Sequence, residues 1–293
     1  MSAEIRHISP EEYQAARALW DICFPEDAAG YSAYYFARRT KREYVLAAFE
    51  GGSMLSALHA IPYPLDFYGV QKPCAMIAGV ATLPQCRHRG LAAALIRQAH
   101  EELRMSGVCA AVLKPDVDFY AQFGYLPFAF HQQYRLAPSA APASCPPLHA
   151  PGAGELLSIY HADRPRYAGR MLRTLGDMRA YLEETAVLGG FAASDGAAYA
   201  LCAPGEGGVE IAELAGYPYD GLLHSLAKEH GGAVFRLPEG AIPPAGAVGL
   251  GRIMFSMLCP LEEQALLAGT PAGSVEELVS GGGGKTVNTL EFC

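Results

Sequence analysis

The sequence predicts a mixed α/β protein built from two similar parts. An apolar, uncharged stretch runs from Cys74 to Leu83, and an amphipathic helix follows from Arg89 to Leu103. A mainly apolar strand without charged residues is typical of one buried on both faces. After a charge-poor segment rich in proline, alanine and glycine at 137–154, the order hairpin, strand, helix, strand occurs a second time.

The elements of the first part follow from hydrophobic spacing and from turn residues. Ser9 and Pro10 have the types expected at the start of a helix. In order, we expect a strand at 4–8, helices at 10–23 and 31–39, a hairpin at 43–50 and 53–61, a stretch with a turn at 65–71, the central strand and helix, a strand at 108–113, a short helix between Asp116 and Gly124, and a strand ending at 136.

The turn between the central strand and its helix has the composition of an anion site. Pro84 ends the strand because it has no N–H to donate. Arg87, His88 and Arg89 then precede Gly90, where the backbone can approach a ligand closely. The first N–H groups of the helix have no intrahelical partner and carry the positive end of its dipole. The spacing fits neither common nucleotide-binding loop.

The pattern Arg87-x-x-Gly90-x-Ala92 after this strand resembles the acyl-CoA signature of the GCN5-related N-acetyltransferase (GNAT) family. The resemblance implies a mixed, splayed sheet of the acyl-CoA N-acyltransferase type, with acetyl-CoA in the gap between two central strands. It also implies that 1–136 is a catalytic GNAT domain. The residues that it assigns to acetyl-CoA are Val80, Ala81, Thr82, Arg87, His88, Arg89, Gly90, Leu91, Ala92 and Ala93.

A second match to the family lies at Tyr120, which stands four residues before the Gly124-Tyr125 pair. The resemblance implies that Tyr120 is the general acid that protonates the CoA sulfur. With a reference pKa of about 10, a tyrosine keeps its proton at neutral pH. The base stays open: His59, Glu50, the C-terminal carboxylate of Cys293 and a water chain are options, and an amine of low pKa needs none.

In the family, the first two helices and the loop between them border the acceptor site. On that resemblance, the residues expected to bind a cationic amine are Glu26, Asp27, Tyr31 and Tyr35, by charge and by ring faces. For each residue taken alone, a solvated loop or a half-buried tyrosine is the alternative. The expected acceptor is the amine of a small molecule or a peptide.

The remaining chain is predicted to contain a second GNAT-like domain at 155–247 and a C-terminal extension at 248–293. Its predicted helices lie at 155–162, 177–188 and 218–229, and its strands at 191–193, 197–203, 208–215 and 233–237. The turn at 215–222 has Asp220 and no arginine, so this domain is expected to lack a cofactor site. Such a tandem resembles the Eis-like branch, in which the C-terminal carboxylate, here that of Cys293, enters the active site.

Composition limits the partners. The formal net charge is −8, which argues against nucleic acid or an anionic membrane as the main partner. The eight cysteines show no metal-ligand spacing, so we expect reduced thiols and no metal. Neither a signal segment nor an apolar run of membrane-spanning length is present, which predicts a cytoplasmic protein. The Eis-like resemblance leaves a homo-oligomer open.

The predicted function is therefore an acetyl-CoA-dependent N-acetyltransferase, in which a primary amine attacks the thioester directly. The alternative is a non-catalytic CoA-binding or regulatory protein of the same fold. The combination of the Arg87–Gly90 loop with Tyr120 favours the enzyme, because a pure binder needs no acid directed at a thiol. A hydrolase is set aside, since no Gly-x-Ser-x-Gly elbow is present.

Overall fold

The structure is a computed structural model that describes residues 3–280 and the short strand at 286–287. The elements of the first part are β1 (Glu4–His7), α1 (Tyr13–Cys23), α2 (Tyr31–Arg38), β2 (Val45–Glu50), β3 (Ser53–Pro62), β4 (Leu65–Phe67), β5 (Val70–Lys72), β6 (Cys74–Thr82), α3 (Leu91–Met105), β7 (Ala110–Leu113), α4 (Val117–Tyr120) and β8 (Leu126–Leu136). Those that follow are α5 (Ala153–Asp163), β9 (Tyr167–Met171), α6 (Leu175–Val187), β10 (Phe191–Ser194), β11 (Ala198–Gly205), β12 (Gly208–Gly216), α7 (Asp220–His230), β13 (Ala233–Pro238), β14 (Val248–Pro260), α8 (Glu263–Leu267), α9 (Val275–Ser280) and β15 (Thr286–Val287).

One sheet of eleven strands runs through both parts of the chain, in the order β1-β2-β3-β6-β7-β14-β8-β13-β12-β11-β10. Within the described residues, its neighbours are antiparallel except at β6–β7 and β12–β13. Helices cover both of its faces. The predicted fold class, a mixed α/β protein with a splayed sheet, is confirmed.

The central parallel pair separates soon after it forms. β6 and β7 are paired at three positions, where Cys74–Met76 faces Ala110–Val112. From Ile77 to Thr82, β6 is paired with β3 on its other edge. One edge of β6 is thus left open toward the gap, which is the splay that the sequence predicted.

The second half repeats this geometry. β12 and β13 are paired at only two positions, Val209–Glu210 with Ala233–Val234, and β12 then continues beside β11. α7 packs on one face through Leu222 and Leu226, while α5 and α6 pack on the other. Two parts of the chain thus have the same strand, helix, strand unit around a splayed parallel pair.

β14 is a central strand that the sequence analysis did not predict. It is antiparallel to β7 through its last four residues and to β8 along most of its length. Gly249 and Gly251 interrupt the hydrophobic pattern in the first half of this strand, so the sequence does not indicate a strand there. Residues 248–260 therefore belong to the main sheet, whereas the proposed boundaries at 136, 154 and 247 remain predictions.

A second, smaller sheet links the two halves, in the order β15-β9-β4-β5. β4 and β5 form a hairpin out of the predicted stretch at 65–71, and β4 is antiparallel to β9. The sequence pattern predicts no element at the position of β9. The β4–β5 hairpin therefore lies outside the main sheet and pairs with β9 of the second half.

The covering helices of the first half lie on opposite faces of the sheet. Leu46 of β2 packs in the cluster with Leu95 and Ile96 of α3. Its neighbour Ala47 packs in the cluster with α1 and α2. Successive side chains of a strand point to opposite faces, so the sheet is buried between these two layers. No helix in the described ranges is long and apolar enough to cross a bilayer.

Gly79 is the glycine that the central strand requires. Its φ is +55°, and it lies in a bulge, where Gly79 and Val80 together face Leu58 of β3. A Cβ atom at this position would overlap the indole ring of Trp20. The same indole donates a 2.7 Å hydrogen bond to Asp27. The bulge thus seats a ring that holds the loop between α1 and α2.

Replacing Gly79 with alanine should destabilise the protein by about 3 kcal/mol, from left-handed backbone strain plus overpacking against Trp20. Gly52→Ala is the matched control, because Gly52 has a φ of +81° but open space at the Cβ position. That variant should cost only about 1 kcal/mol. Urea unfolding measures both values, and equal losses would contradict the role assigned to Trp20.

Candidate active site

The loop before α3 presents unpaired backbone donors. His88 and Gly90 both have positive φ, 62° and 75°, and Gly90 precedes the helix. In the described part of the chain, the N–H groups of Leu91, Ala92 and Ala93 donate to no other group, and the first bond from the helix is that of Ala94 to the Gly90 carbonyl at 3.0 Å. These donors and the helix dipole make the turn attractive to an anion.

The basic side chains of the loop are exposed. Arg89 Nη2 lies 2.8 Å from Glu50 Oε1, at the end of β2. The hydrogen bond and charge of Arg89 lower the pKa of Glu50. Arg87 Nε donates to the Thr82 carbonyl at 3.4 Å. An anion bound here would compete with Glu50 for Arg89.

Some polar groups at the end of β6 already have hydrogen-bond partners on β3. The Ala81 carbonyl accepts a 2.7 Å hydrogen bond from Ser56 Oγ, and the Ser56 and Thr82 hydroxyls are 2.8 Å apart. Val80, in the bulge, is half-buried. These contacts come from β3, whereas the opposite edge of β6 has no described strand partner after Met76.

Tyr120 is the last residue of α4, whose N-terminus is capped by Asp116, and a 3-10 turn that ends at the left-handed Gly124 follows it. Its ring packs against Phe119 and Tyr125, with centroids 5.0 and 5.7 Å away. Burial, with a smaller effect of Asp116, raises the pKa of Tyr120 to about 12.

The Tyr120 hydroxyl has no hydrogen-bond partner among the residues that the structure describes. By contrast, the neighbouring Tyr125 hydroxyl is 3.0 Å from His100 Nε2. Tyr120 is thus a neutral phenol whose proton is not committed within the described chain.

A cavity of about 570 Å³ lies where β6 and β7 diverge. Residues of both halves form its wall. They include Asp27, Tyr31, Tyr63, Met76, Val112, Leu113, Lys114 and Pro115 from the first half, and Glu184, Leu188, Glu210, Arg236, Ile253, Met254, Phe255 and Ser256 from the second. The volume is that of a small-molecule site.

Two of the four predicted acceptor residues, Asp27 and Tyr31, line this cavity. Glu26 is exposed in the loop before α2 and is absent from the wall. Tyr35 is 2% exposed and lies beneath the wall, 4.3 Å from the Trp20 ring centroid. Its hydroxyl is 3.0 Å from His59 Nδ1. The structure therefore brings Asp27 and Tyr31 together and leaves Glu26 and Tyr35 outside.

Glu184 is a wall residue that the sequence analysis missed. Its carboxylate is 1% exposed and lies 3.4 Å from the Tyr31 hydroxyl, 3.3 Å from the Tyr34 hydroxyl and 3.4 Å from Arg39 Nε. Burial raises its pKa, and Arg39 opposes the change. The available signal was helical spacing, since Glu184 follows Tyr181 by three residues and precedes Leu188 by four.

The options for a base differ in their surroundings. His59 is 1% exposed, and burial lowers its pKa to about 3. Glu50 is paired with Arg89. Cys293 lies outside the described residues. The described residues contain no cluster of three or more His, Cys, Asp or Glu that could hold a metal ion.

The loop, Tyr120 and the cavity surround the same splay. Leu113, at the end of β7, lines the cavity and also packs in the cluster that contains Leu91 and Tyr120. The cavity wall itself does not include Tyr120 or the loop residues Arg87–Ala93. A molecule bound to the loop and extended along the open edge of β6 would therefore end beside the cavity.

Residues 4–128 match the family model described as the acetyltransferase (GNAT) domain. None of the curated proteins matches the sequence. Among solved structures, a probable N-acyltransferase from Enterococcus faecalis V583 is 17% identical, with a TM-score of 0.77 over 91% of this chain and 75% of that one. Eis1 from Mycobacterium abscessus is 16% identical, with a TM-score of 0.71 over 92% and 76%. A GCN5-related N-acetyltransferase from Kribbella flavida is 18% identical, with a TM-score of 0.72 over 92% and 74%.

At these identities the structural likeness concerns the fold, which the Enterococcus protein and Eis1 share along nearly the whole of this chain. The family model adds the sequence signature of the first half, including the strand, turn and helix around Gly90. Residues 4–128 thus match a GNAT acetyltransferase domain, and the fold of the chain is similar to that of Eis1.

Proposed function

We propose that the protein is an N-acetyltransferase that transfers the acetyl group of acetyl-CoA to a primary amine by direct attack on the thioester. The observation that carries this proposal is the splay of β6 from β7, with free helix donors at one end and the cavity beside it. Acetyl-CoA supplies an activated carbonyl and a thiol leaving group. The described residues supply binding, orientation and a proton.

The anionic part of the co-substrate fits the loop before α3. The N–H groups of Leu91–Ala93 are unpaired in the described chain, so they can bind an anion without breaking any hydrogen bond of the helix. Arg87, His88 and Arg89 add basic side chains at the surface. The open edge of β6 around Val80 offers backbone groups to the amide-containing arm, while Ala81 and Thr82 support that end of the strand.

Tyr120 is the proposed acid. When the neutral amine nitrogen forms its bond to the carbonyl carbon, the carbon–sulfur bond breaks and the sulfur takes a proton from the phenol; the new amide nitrogen releases a proton to water, and the phenolate regains one from water. The raised pKa keeps that proton available at neutral pH, and the absence of a hydroxyl partner in the described chain leaves it free to move. Holding both reactants in one site supplies much of the rate, through effective molarities of about 10⁵ M or more.

The acceptor enters from the cavity. Asp27 presents one carboxylate oxygen to it, because the other accepts the Trp20 hydrogen bond. Tyr31 adds an aromatic ring to the wall, and ring faces attract ammonium groups. These contacts support a cationic amine, which must lose a proton before it attacks.

His59 is a poor candidate for the base that removes this proton. A base whose conjugate acid has a pKa of about 3 is too weak to remove a proton effectively from an ammonium group. His59 is also packed among Trp20, Tyr35 and Phe36. Water and the Cys293 carboxylate stay open as the route for this proton.

Tyr120→Phe should lower kcat for amine-dependent CoA release by about 10²-fold, because the leaving thiolate loses its acid. CoA affinity, measured by calorimetry, should stay unchanged. Tyr125→Phe is the matched control: it removes a hydroxyl from the adjacent ring but leaves the acid in place. If wild type binds CoA and no amine raises CoA release above background, the protein is a CoA-binding protein instead.

Glu50→Gln should tighten CoA binding roughly two- to fivefold, because Arg89 would no longer be paired with a carboxylate. Arg89→Gln should weaken binding by a similar factor, and both effects should shrink at high salt. Arg97→Gln, further along the exposed face of α3, serves as the control for loss of one positive charge. Equal CoA affinity in all three variants would contradict the assignment of the anion site to this loop.

The ring proton shifts of His59 should stay constant from about pH 8 to pH 5 in an NMR titration, because the folded-state pKa is about 3. In the unfolded chain a histidine takes up a proton near pH 6.5. His59 therefore lowers the free energy of unfolding progressively as pH falls from about 6.5 to about 3. A His59 signal that titrates near neutral pH would return this residue to the candidates for the base.

A further inference from the structure

The cavity wall carries a carboxylate that belongs to the second half. Glu184 projects from α6, while Tyr31, Tyr34 and Arg39, its described neighbours, belong to the first half. A carboxylate that is 1% exposed is costly to bury unless a cation or several donors offset its charge. Glu184 nevertheless lines the cavity, so a molecule bound there lies next to it.

The contacts of Glu184 leave it capacity for another donor. Its distances to the two hydroxyls and to Arg39 are 3.3–3.4 Å, whereas charge-assisted hydrogen bonds are usually about 2.7–2.9 Å. The Tyr34 hydroxyl also has a closer acceptor, the Ala180 carbonyl at 2.6 Å. A small ammonium group at the wall would make shorter bonds than those that Glu184 has now.

The remaining charges of the wall limit how many cations it can receive. Glu210 is paired with Arg236 at 2.9 Å, and one oxygen of Asp27 accepts from Trp20. Lys114 adds a further positive charge at the edge of the cavity. A polycation would therefore meet the charge of Lys114 and only two wall carboxylates, Asp27 and Glu184, that are not paired with Arg236.

Most of the wall is apolar or aromatic. Tyr63, Met76 and Val112 lie on the side of the splay, and Leu188, Ile253 and Phe255 lie on the side of the second half. Such a surface favours a hydrocarbon or aromatic body over a highly hydrated one.

We infer that the cavity takes a primary amine with one positive charge and an apolar or aromatic body, and that Glu184 receives its ammonium group. This inference rests on the proposed function and narrows its acceptor class. It also gives the second half, which lacks a basic loop of its own, a direct part in acceptor recognition. Glu184 is then a specificity determinant that the catalytic half does not supply.

The test uses 2-phenylethylamine as probe, with 2-phenylethanol as its neutral counterpart and spermidine as a polycation. Calorimetry with saturating CoA should show that wild type binds the amine at least tenfold more tightly than the alcohol. Glu184→Gln should abolish that difference and leave CoA affinity unchanged. Glu183→Gln is the matched control, since Glu183 is the adjacent residue on α6, is exposed and is paired with Arg38.

In the CoA-release assay, kcat/KM should be at least tenfold higher for 2-phenylethylamine than for spermidine. Glu184→Gln should raise KM for the amine about tenfold with a smaller change in kcat, and Glu183→Gln should stay within twofold of wild type. If Glu184→Gln fails to fold, Leu188→Trp replaces it: the larger side chain should fill the cavity and block the amine but not CoA.

The outcomes separate the two proposals. Equal binding of amine and alcohol by wild type, an unchanged KM in Glu184→Gln, or a preference for spermidine would overturn the inference. Selective amine binding that depends on Glu184, without any amine-stimulated CoA release, would support the inference and would sink the proposed catalytic function instead.

Discussion

Hydrogen bonding between β6 and β7 lasts for three positions, and the candidate site depends on that early end. A parallel pair that continued would close the gap and would satisfy the edge of β6 internally. Instead, β6 bends through its bulge at Gly79 and stays with β3. The free edge of β6 results from this separation, and the cavity beside Met76 lies where the two strands part.

The second half repeats the splay without the basic loop, and it contributes part of the cavity wall. The contact between α2 and α6 includes Tyr34 with Ala180 and Arg38 with Glu183. Because the main sheet is continuous through β14 and β8, the two halves are held in one layer. The cavity wall formed by Glu184 therefore has a defined position relative to the splay, as a recognition surface requires.

Features that depend on neighbours in sequence could be predicted well. The end of β6 at Pro84, the start of α3 after Gly90 and the cap of α4 by Asp116 each rest on the chemistry of one or two residues. The role of Glu184 could not be predicted, because its burial depends on which face of α6 meets α2. Tyr35 is the reverse case: an aromatic at the right helical position packs in the core beside Trp20 and does not line the cavity.

The position of β14 in the main sheet affects when the sheet can form during synthesis of the chain. The strand that lies between β7 and β8 is not complete until residue 260, so the sheet of the first half cannot close when its own residues leave the ribosome. Until then the facing edges of β7 and β8 remain unpaired, and open strand edges are templates for association with other chains. The native sheet of the first half therefore includes residues 248–260, so domain-by-domain folding during translation, the usual order in tandem proteins, cannot by itself complete that sheet.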